Sequence, residues 1–315
     1  WLGTAYFGSK TGVYYREHFE LPFFNYFLKD KGDISQIKEV NVFDTGANVW
    51  RDVPNWSPTV STDTSLYLMD NGQLRFGDGV TGKRPPGGQK LFDEYTSDPM
   101  NPVPYTEKRN GDTIRYPRDF MTEDQRFAAT RPDVLVYQTD PLTADIMVAG
   151  SIKPELFISS SGTDSDFIVK LIDVFPDDYQ FPETGNKLPN GQPDRVKPPD
   201  TSTSCIFSPG GYEMLLRGEP FPARFRNSFE RPQPLRPNVP AKISYVMPGI
   251  VHTFTKGHRI MVQIQSTWFP LVARNPQKFM ANYKLGTDAD FQKATERVYH
   301  SAANPSRVVL PVWKK

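Results

Sequence analysis

Serine, histidine, cysteine and the carboxylates are the groups with which this sequence could attack, transfer a proton or hold a metal, and their spacing decides which of these is open to each. A nucleophilic serine on a strand-to-helix elbow needs Gly-x-Ser-x-Gly, because small flanking residues let the turn close beneath an exposed hydroxyl. That pattern does not occur. Gly8-Ser9-Lys10-Thr11-Gly12 places the serine second, and Ser159–Ser161 lack the upstream glycine. The four histidines, His18, His252, His258 and His300, show no metal-ligand spacing of the His-Glu-x-x-His kind. His258 precedes a clean alternation and could serve as a base, yet neither a serine nor an orienting acid lies near it in sequence. It reads as a structural histidine at a strand entry. Arg259 and Arg274 read as salt-bridge or carbonyl-binding residues. Cys205 stands alone, which rules out a disulfide framework and any Cys-x-x-Cys site, and it reads as a small buried residue. Thr163-Asp164-Ser165-Asp166 offers oxygens to calcium but lacks the continuing ligands of an EF-hand loop. It reads as a tight turn whose side-chain oxygens cap backbone N–H groups. No catalytic residue, metal or cofactor is assigned to this chain.

Composition narrows the partners. Lys+Arg at 37 against Asp+Glu at 36 gives a formal charge of +1, with no long basic run, so a nucleic-acid footprint is absent. No stretch approaches the eighteen or so apolar residues of a membrane span. Trp1-Leu2-Gly3 has neither an initiator Met nor the basic and apolar regions of a signal peptide, and reads as an interior start. The compartment is therefore left open, with a secreted or periplasmic one favoured slightly over the cytoplasm.

The elements that must position any site are mainly strands. Pro (30) and Gly (22) are spread along the whole chain, which suits many short strands joined by turns. The hydrophobic fraction is only 37%, but 13% aromatics can supply the buried area. Residues 11–29 are the exception. Phe19, Phe23 and Phe27 recur every fourth residue beside Phe24 and Leu28, predicting a helix with a wide apolar stripe, and Pro22 starts or kinks one of its turns. Leaving that stripe in water forfeits on the order of 10 kcal/mol of burial. It is expected to fold back on the sandwich or to pair with a second copy, making the chain a homo-oligomer.

From Glu39 the period is two. Residues 40–53 form a hairpin turning at Gly46-Ala47-Asn48, and 65–76 form another turning at Asn71-Gly72. Residues 77–130 and 176–205 read as long loops. Strands are expected at 133–139, 144–152, 155–161, 166–175, 210–218, 241–254, 258–266 and 307–313. In the fourth of these, Phe167, Val169 and Leu171 share one face and Ile168 and Ile172 the other, which marks a central strand. The whole reads as an all-β two-sheet sandwich with Greek-key or jelly-roll crossovers.

Several blocks resemble one family. FISSSGTDSDFIVKLIDVFPDD, GHRIMVQIQSTWFPLVARNPQ and RPDVLVYQTDPL are similar to the non-catalytic C-terminal domain of X-Pro dipeptidyl peptidases and their relatives. DEYTSDPMNPVPY, the DQRF at 124–127 and YHSAANPSRVVLPV fit the same pattern. The wording is nearest the α-amino acid ester hydrolase and glutaryl 7-aminocephalosporanic acid acylase branch, and the group also includes cocaine esterase. The resemblance implies a galactose-binding-like jelly roll over residues 37–315. Residues 1–36 would then be the last helical piece of an α/β-hydrolase domain whose Ser, Asp and His all lie upstream. The upstream domain becomes the partner, and the parent's substrate a small acyl or aminoacyl ester or amide. Tyr105, Tyr116, Phe120 and Met121, in the stretch that reaches the acyl pocket in relatives, are assigned as substrate-pocket wall; the bland reading is aromatic cover for a sheet edge.

Two functions compete. In the first, this chain is scaffold and pocket wall of a serine hydrolase working through an acyl-enzyme. In the second it is a stand-alone carbohydrate- or surface-binding jelly roll, with Trp50, Trp56 and Trp268 as a stacking platform. The hydrolase reading predicts that the purified chain turns over no p-nitrophenyl ester, X-Pro amide or cephalosporin side chain above background. Stoichiometric labelling of one of its serines by a fluorophosphonate would contradict that.

Overall fold

The computed structural model describes residues 1–2, 5–53, 55–56, 58, 60–77, 83, 90–107, 120–187, 192–195, 209–280 and 282–313. Among these residues the chain forms sixteen strands, most of them alternating apolar and polar side chains. They are β1 (Val40–Asp44), β2 (Val49–Val53), β3 (Ser61–Leu68), β4 (Leu74–Phe76), β5 (Phe92–Ser97), β6 (Leu135–Gln138), β7 (Ile146–Ser160) and β8 (Asp166–Val174). The rest are β9 (Glu183–Lys187), β10 (Pro193–Arg195), β11 (Glu213–Pro222), β12 (Ala241–Ser244), β13 (Met247–Phe254), β14 (Arg259–Gln265), β15 (Ala294–Tyr299) and β16 (Arg307–Trp313). One sheet runs β11-β8-β14-β6; the other runs β4-β3-β16-β7-β15-β5, with β12 and β13 also pairing β7. The two pack face to face. Leu66, Leu68, Val148, Ile152, Leu156 and Ile158 from the large sheet meet Phe167, Val169, Leu171, Ile260, Val262 and Ile264 from the small one. The chain is an all-β sandwich.

Both hairpins form where their turn residues place them. Asn71 and Gly72 take positive φ values of 59° and 68°, which lets β3 reverse tightly into β4. At the β1–β2 turn a Cβ on Gly46 would lie 1.8 Å from the Thr253 carbonyl oxygen, so only glycine admits this approach to β13. Asp44 locks the contact by accepting from the Thr253 amide at 2.9 Å, the Thr253 hydroxyl at 2.7 Å and Arg51 Nε at 2.9 Å. Burial opposes its charge, but these bonds outweigh that and hold its carboxyl below the usual range.

Elsewhere the strands differ from the sequence reading. Residues 77–130 are not all loop, since β5 and a short helix, α1 (Arg126–Ala129), lie within them, and 176–205 holds the β9–β10 pair. β5 and the equally unforeseen β15 pair with each other, and each carries polar residues inward, Ser97 and Glu296, which breaks the alternation. The strands expected at 144–152 and 155–161 are one, β7. Pro154 interrupts nothing because its fixed φ suits an extended chain and its carbonyl still accepts from Tyr245 N at 3.3 Å. The segment 241–254 is instead two strands, both on β7. Cys205 lies outside the described residues.

The helical leader comprises α2 (Thr11–Tyr15), a π-helical turn (Arg16–Glu20) and α3 (Leu21–Lys29), with Pro22 in the first turn of α3. Its first half does fold back. Trp50 of β2 stacks 5.3 Å from Tyr14 and lies 5.2 Å from Phe19. Its second half does not: Phe23, Phe24, Phe27 and Leu28 are exposed, Leu28 by 72%. Among the described residues no helix is long and apolar enough to cross a membrane.

The Thr163–Asp166 turn is the capped turn expected, with Ser165 N donating to Asp164 Oδ1 at 2.9 Å, and it opens a buried polar seam. Arg224 donates to Asp164 at 3.0 Å, Asn275 to Asp166 at 2.8 Å and Ser160 to Glu296 at 2.9 Å. Burial raises all three acids, to about 6 for Asp164, about 7 for Asp166 and about 8 for Glu296. Among the described residues no group of three or more side chains is arranged to hold a metal. A carboxyl whose pKa is higher folded than unfolded stabilises at low pH, and that stability disappears as pH rises through the folded value. The fold should therefore lose stability between about pH 5 and pH 8, in large part through Glu296. Glu296→Gln should flatten that dependence in urea unfolding measured across the range. An unchanged slope would show that Glu296 does not titrate there.

Candidate functional site

The alternation that sends Phe167, Val169 and Leu171 into the core sends Ile168, Lys170 and Ile172 to the outer face of the small sheet. Lys170 is fully buried. Its Nζ donates to Gln125 Oε1 at 3.0 Å and lies 5.1 Å from the centroid of the Trp268 ring. Burial pulls its pKa down to about 7, against the opposing pull of Glu123 and Glu213. Glu213, on neighbouring β11, is pushed up to about 7 by burial, with Asp124 adding to the rise. Gln263 of β14 joins the group by donating to Glu213 Oε2 at 3.3 Å.

Two chain segments close this face. The first is pinned to the loop after β14, where Val103 N donates to Thr267 Oγ1 at 2.8 Å and Tyr105 N to the Phe269 carbonyl at 3.0 Å. The second enters through the turn Phe120–Thr122 and is pinned by Gln125 N to the Glu213 carbonyl at 3.0 Å. Tyr105 is buried among Ile168, Ile172, Leu215, Met261 and Trp268, and its ring meets that of Phe120 edge-on at 5.4 Å. Of the four residues assigned to a pocket wall, the fold thus brings Tyr105 and Phe120 together over Ile168 and Ile172. Met121 is 51% exposed beside them, and Tyr116 lies outside the described residues. Lys170, Glu213 and Gln263 were not singled out from the sequence. The available signal was a lysine in a strand apolar on both faces, FIVKLID, which has nowhere solvated to go.

The histidines make structural pairs. At the rim of the core, Asp173 of β8 lies 3.2 Å from His252 Nε2 and 2.9 Å from His258 Nδ1. Burial opposes the Asp173 charge, but the two imidazoles hold its carboxyl low, and an ionised carboxylate only accepts. Both facing nitrogens therefore carry protons. The acid that His258 meets is not near it in sequence but 85 positions upstream, and it reaches His258 because β8 and β14 are neighbours. Among the described residues neither a serine nor a cysteine lines the cavity that His258 faces. His300 is buried against Asp93 at 3.1 Å, and His18 stacks on Tyr14 in the leader. Arg259 and Arg274 bind carbonyls, of Thr139 at 2.9 Å and Pro99 at 3.0 Å. The three tryptophans do not make a platform. Trp268 is buried over Lys170, Trp50 is engaged by the leader, and Trp56 rests against Gly249 of β13.

Comparison with known proteins follows the same outline. The model of the X-Pro dipeptidyl-peptidase C-terminal non-catalytic domain matches residues 32–309. The chain is 28% identical over 297 residues to cocaine esterase from Rhodococcus sp. (strain MB1 Bresler), covering 93% of this chain and 45% of that one. It superposes on an aminopeptidase from a marine sediment archaeon, Thaumarchaeota archaeon, with TM-score 0.82 and 34% identity, over 99% of this chain and 46% of that one. An α-amino acid ester hydrolase gives TM-score 0.81 at 34% identity, over 99% and 47%. The chain thus spans a little under half the length of these relatives.

The residues assigned to the pocket wall divide into core and surface, and unfolding free energies should follow that division. Tyr105→Ala should cost about 3–5 kcal/mol, as deletion of a buried ring does, and Met121→Ser less than about 0.5 kcal/mol. Equal costs in denaturant titrations would contradict the division.

Proposed function

The chain belongs to the family of X-Pro dipeptidyl-peptidase C-terminal non-catalytic domains, and from that premise we propose that it is the scaffold and pocket-wall half of a serine hydrolase. The parent enzyme cleaves a small acyl or aminoacyl ester or amide, of the α-amino acid ester hydrolase, glutaryl acylase or X-Pro dipeptidyl peptidase type. Its serine, on an upstream α/β-hydrolase domain, attacks the carbonyl, the alcohol or amine departs, and water releases the acyl group from the enzyme. This chain contributes no group to those bond changes. Residues 1–36 are the final helical piece of the hydrolase domain, and 37–315 the domain that braces it.

The observation that carries this reading is the exposed aromatic face of α3. Phe23, Phe24, Phe27 and Leu28 sit in water on a helix whose neighbouring turn is already packed on Trp50. A large exposed apolar patch marks an interaction site, and relatives about twice as long supply a domain to cover it. The Tyr105–Phe120 layer then has a role at the same junction: it fixes the turn that presents Met121 outward toward the acyl site. Stacking of carbohydrate finds less support, since two of the three tryptophans it needs are engaged within the fold.

Supplying the upstream coding region as a separate tagged chain tests the reading. The two chains should copurify, and Phe23→Asp with Phe27→Asp should abolish copurification while leaving the melting curve of this chain unchanged. Failure of the wild-type chains to associate would contradict it. In the reconstituted enzyme, Met121→Ser should raise KM with little change in kcat, whereas an unchanged KM would remove Met121 from the pocket wall.

A further inference from the structure

The rim of the sandwich at which Asp173 meets its two histidines opens into a cavity of about 180 Å³. Its walls are aromatic: Tyr6 from the N-terminal segment, Phe175, Tyr179 and Phe181 following β8, and Tyr212 preceding β11. Phe175 stands edge to face with Tyr179 at 4.8 Å and tilted against Tyr212 at 5.2 Å, and Tyr6 and Tyr179 stand edge to face with Phe181 at 6.3 and 6.2 Å. His258 forms part of the wall, 4.5 Å from Phe175.

The polarity of this cavity has a definite sign. His258 Nδ1 donates to Asp173, so in the neutral ring Nε2 presents a lone pair, and among the described residues nothing donates to it. No lysine or arginine is among the described residues of the lining, whereas the Asp173 carboxylate is. Aromatic faces carry negative potential and attract cations. An acceptor, a buried anion behind it and a wall of aromatic rings together favour a positively charged group with an N–H to give. The size is also definite, because a cavity of about 150 Å³ admits one benzene ring. We propose that this cavity binds a small organic ammonium ion, its N–H donated to His258 Nε2 and its charge enclosed by Tyr6, Phe175, Tyr179, Phe181 and Tyr212. The site involves none of the residues assigned to the acyl pocket, and stands whether or not an upstream hydrolase domain exists.

Calorimetric titration of the 315-residue chain with benzylammonium chloride, against sodium benzoate and benzyl alcohol, tests the charge preference directly. Benzylammonium should bind saturably and at least about tenfold more tightly than either comparator, a difference of about 1.4 kcal/mol. His258→Phe keeps an aromatic wall but removes the acceptor, and should weaken benzylammonium about tenfold or more. Tyr179→Leu, at a half-buried position with no bond to Asp173, should weaken it severalfold and decides the matter if the histidine variant does not fold. Benzoate binding as tightly as benzylammonium, no saturable heat from benzylammonium, or wild-type affinity in the folded variants would each overturn the proposal.

Discussion

Every residue of β8 from Asp166 to Asp173 is buried, and a strand buried on both faces must find cover for both. That requirement organises the rest of the molecule. The inner face is covered by the large sheet, whose long central strand β7 binds β12, β13, β15 and β16. Among the described residues no second sheet covers the outer face. It is closed instead by the two segments around Tyr105 and Phe120, pinned through backbone hydrogen bonds to the loop after β14 and to β11. Removing that cover would expose Lys170 and Trp268 along with the apolar residues around them.

Burial on both faces also sets the electrostatics. Three charged side chains of β8 lie inside, and each is met by partners from other elements. Asp166 has Asn275, Lys170 has Gln125 and the Trp268 face, and Asp173 has two imidazoles. The partners differ in strength, and so do the consequences. Two histidines keep Asp173 ionised, whereas the amide of Asn275 does not offset burial at Asp166, which rises to about 7. Polar groups of this kind fix a strand's register, because a one-residue slip would put Lys170 into the apolar core and Leu171 in its place.

Much of this was legible in the sequence where one physical cause acted alone. The period-two runs gave the strands, Asn71-Gly72 and Gly46-Ala47-Asn48 gave the hairpins, and the two apolar faces of residues 166–174 gave a central strand. What escaped had two causes acting against each other. β15 carries Glu296 where alternation calls for an apolar residue, and Pro154 sits within a strand that propensity would end. The pairing of Asp173 with His258 has no local signal at all, since it is produced by the adjacency of β8 and β14. At the assigned pocket wall, the resemblance picked out Tyr105 and Phe120; the edge-on meeting of their rings against Ile168 and Ile172 came from the fold.

The exposed face of α3 follows from the same reasoning about cover, because it leaves Phe23, Phe24, Tyr26 and Phe27 of a single helix in water. Hydrogen exchange over residues 11–29, compared between this chain and the protein extended by its upstream coding region, tests that account most directly. Amides of 21–29 should exchange rapidly in the chain alone and be strongly protected in the longer protein, with those of 11–20 changing less because Trp50 already holds that half. Equal exchange of 21–29 in both would contradict the account, since the stripe would then have no partner in the longer protein.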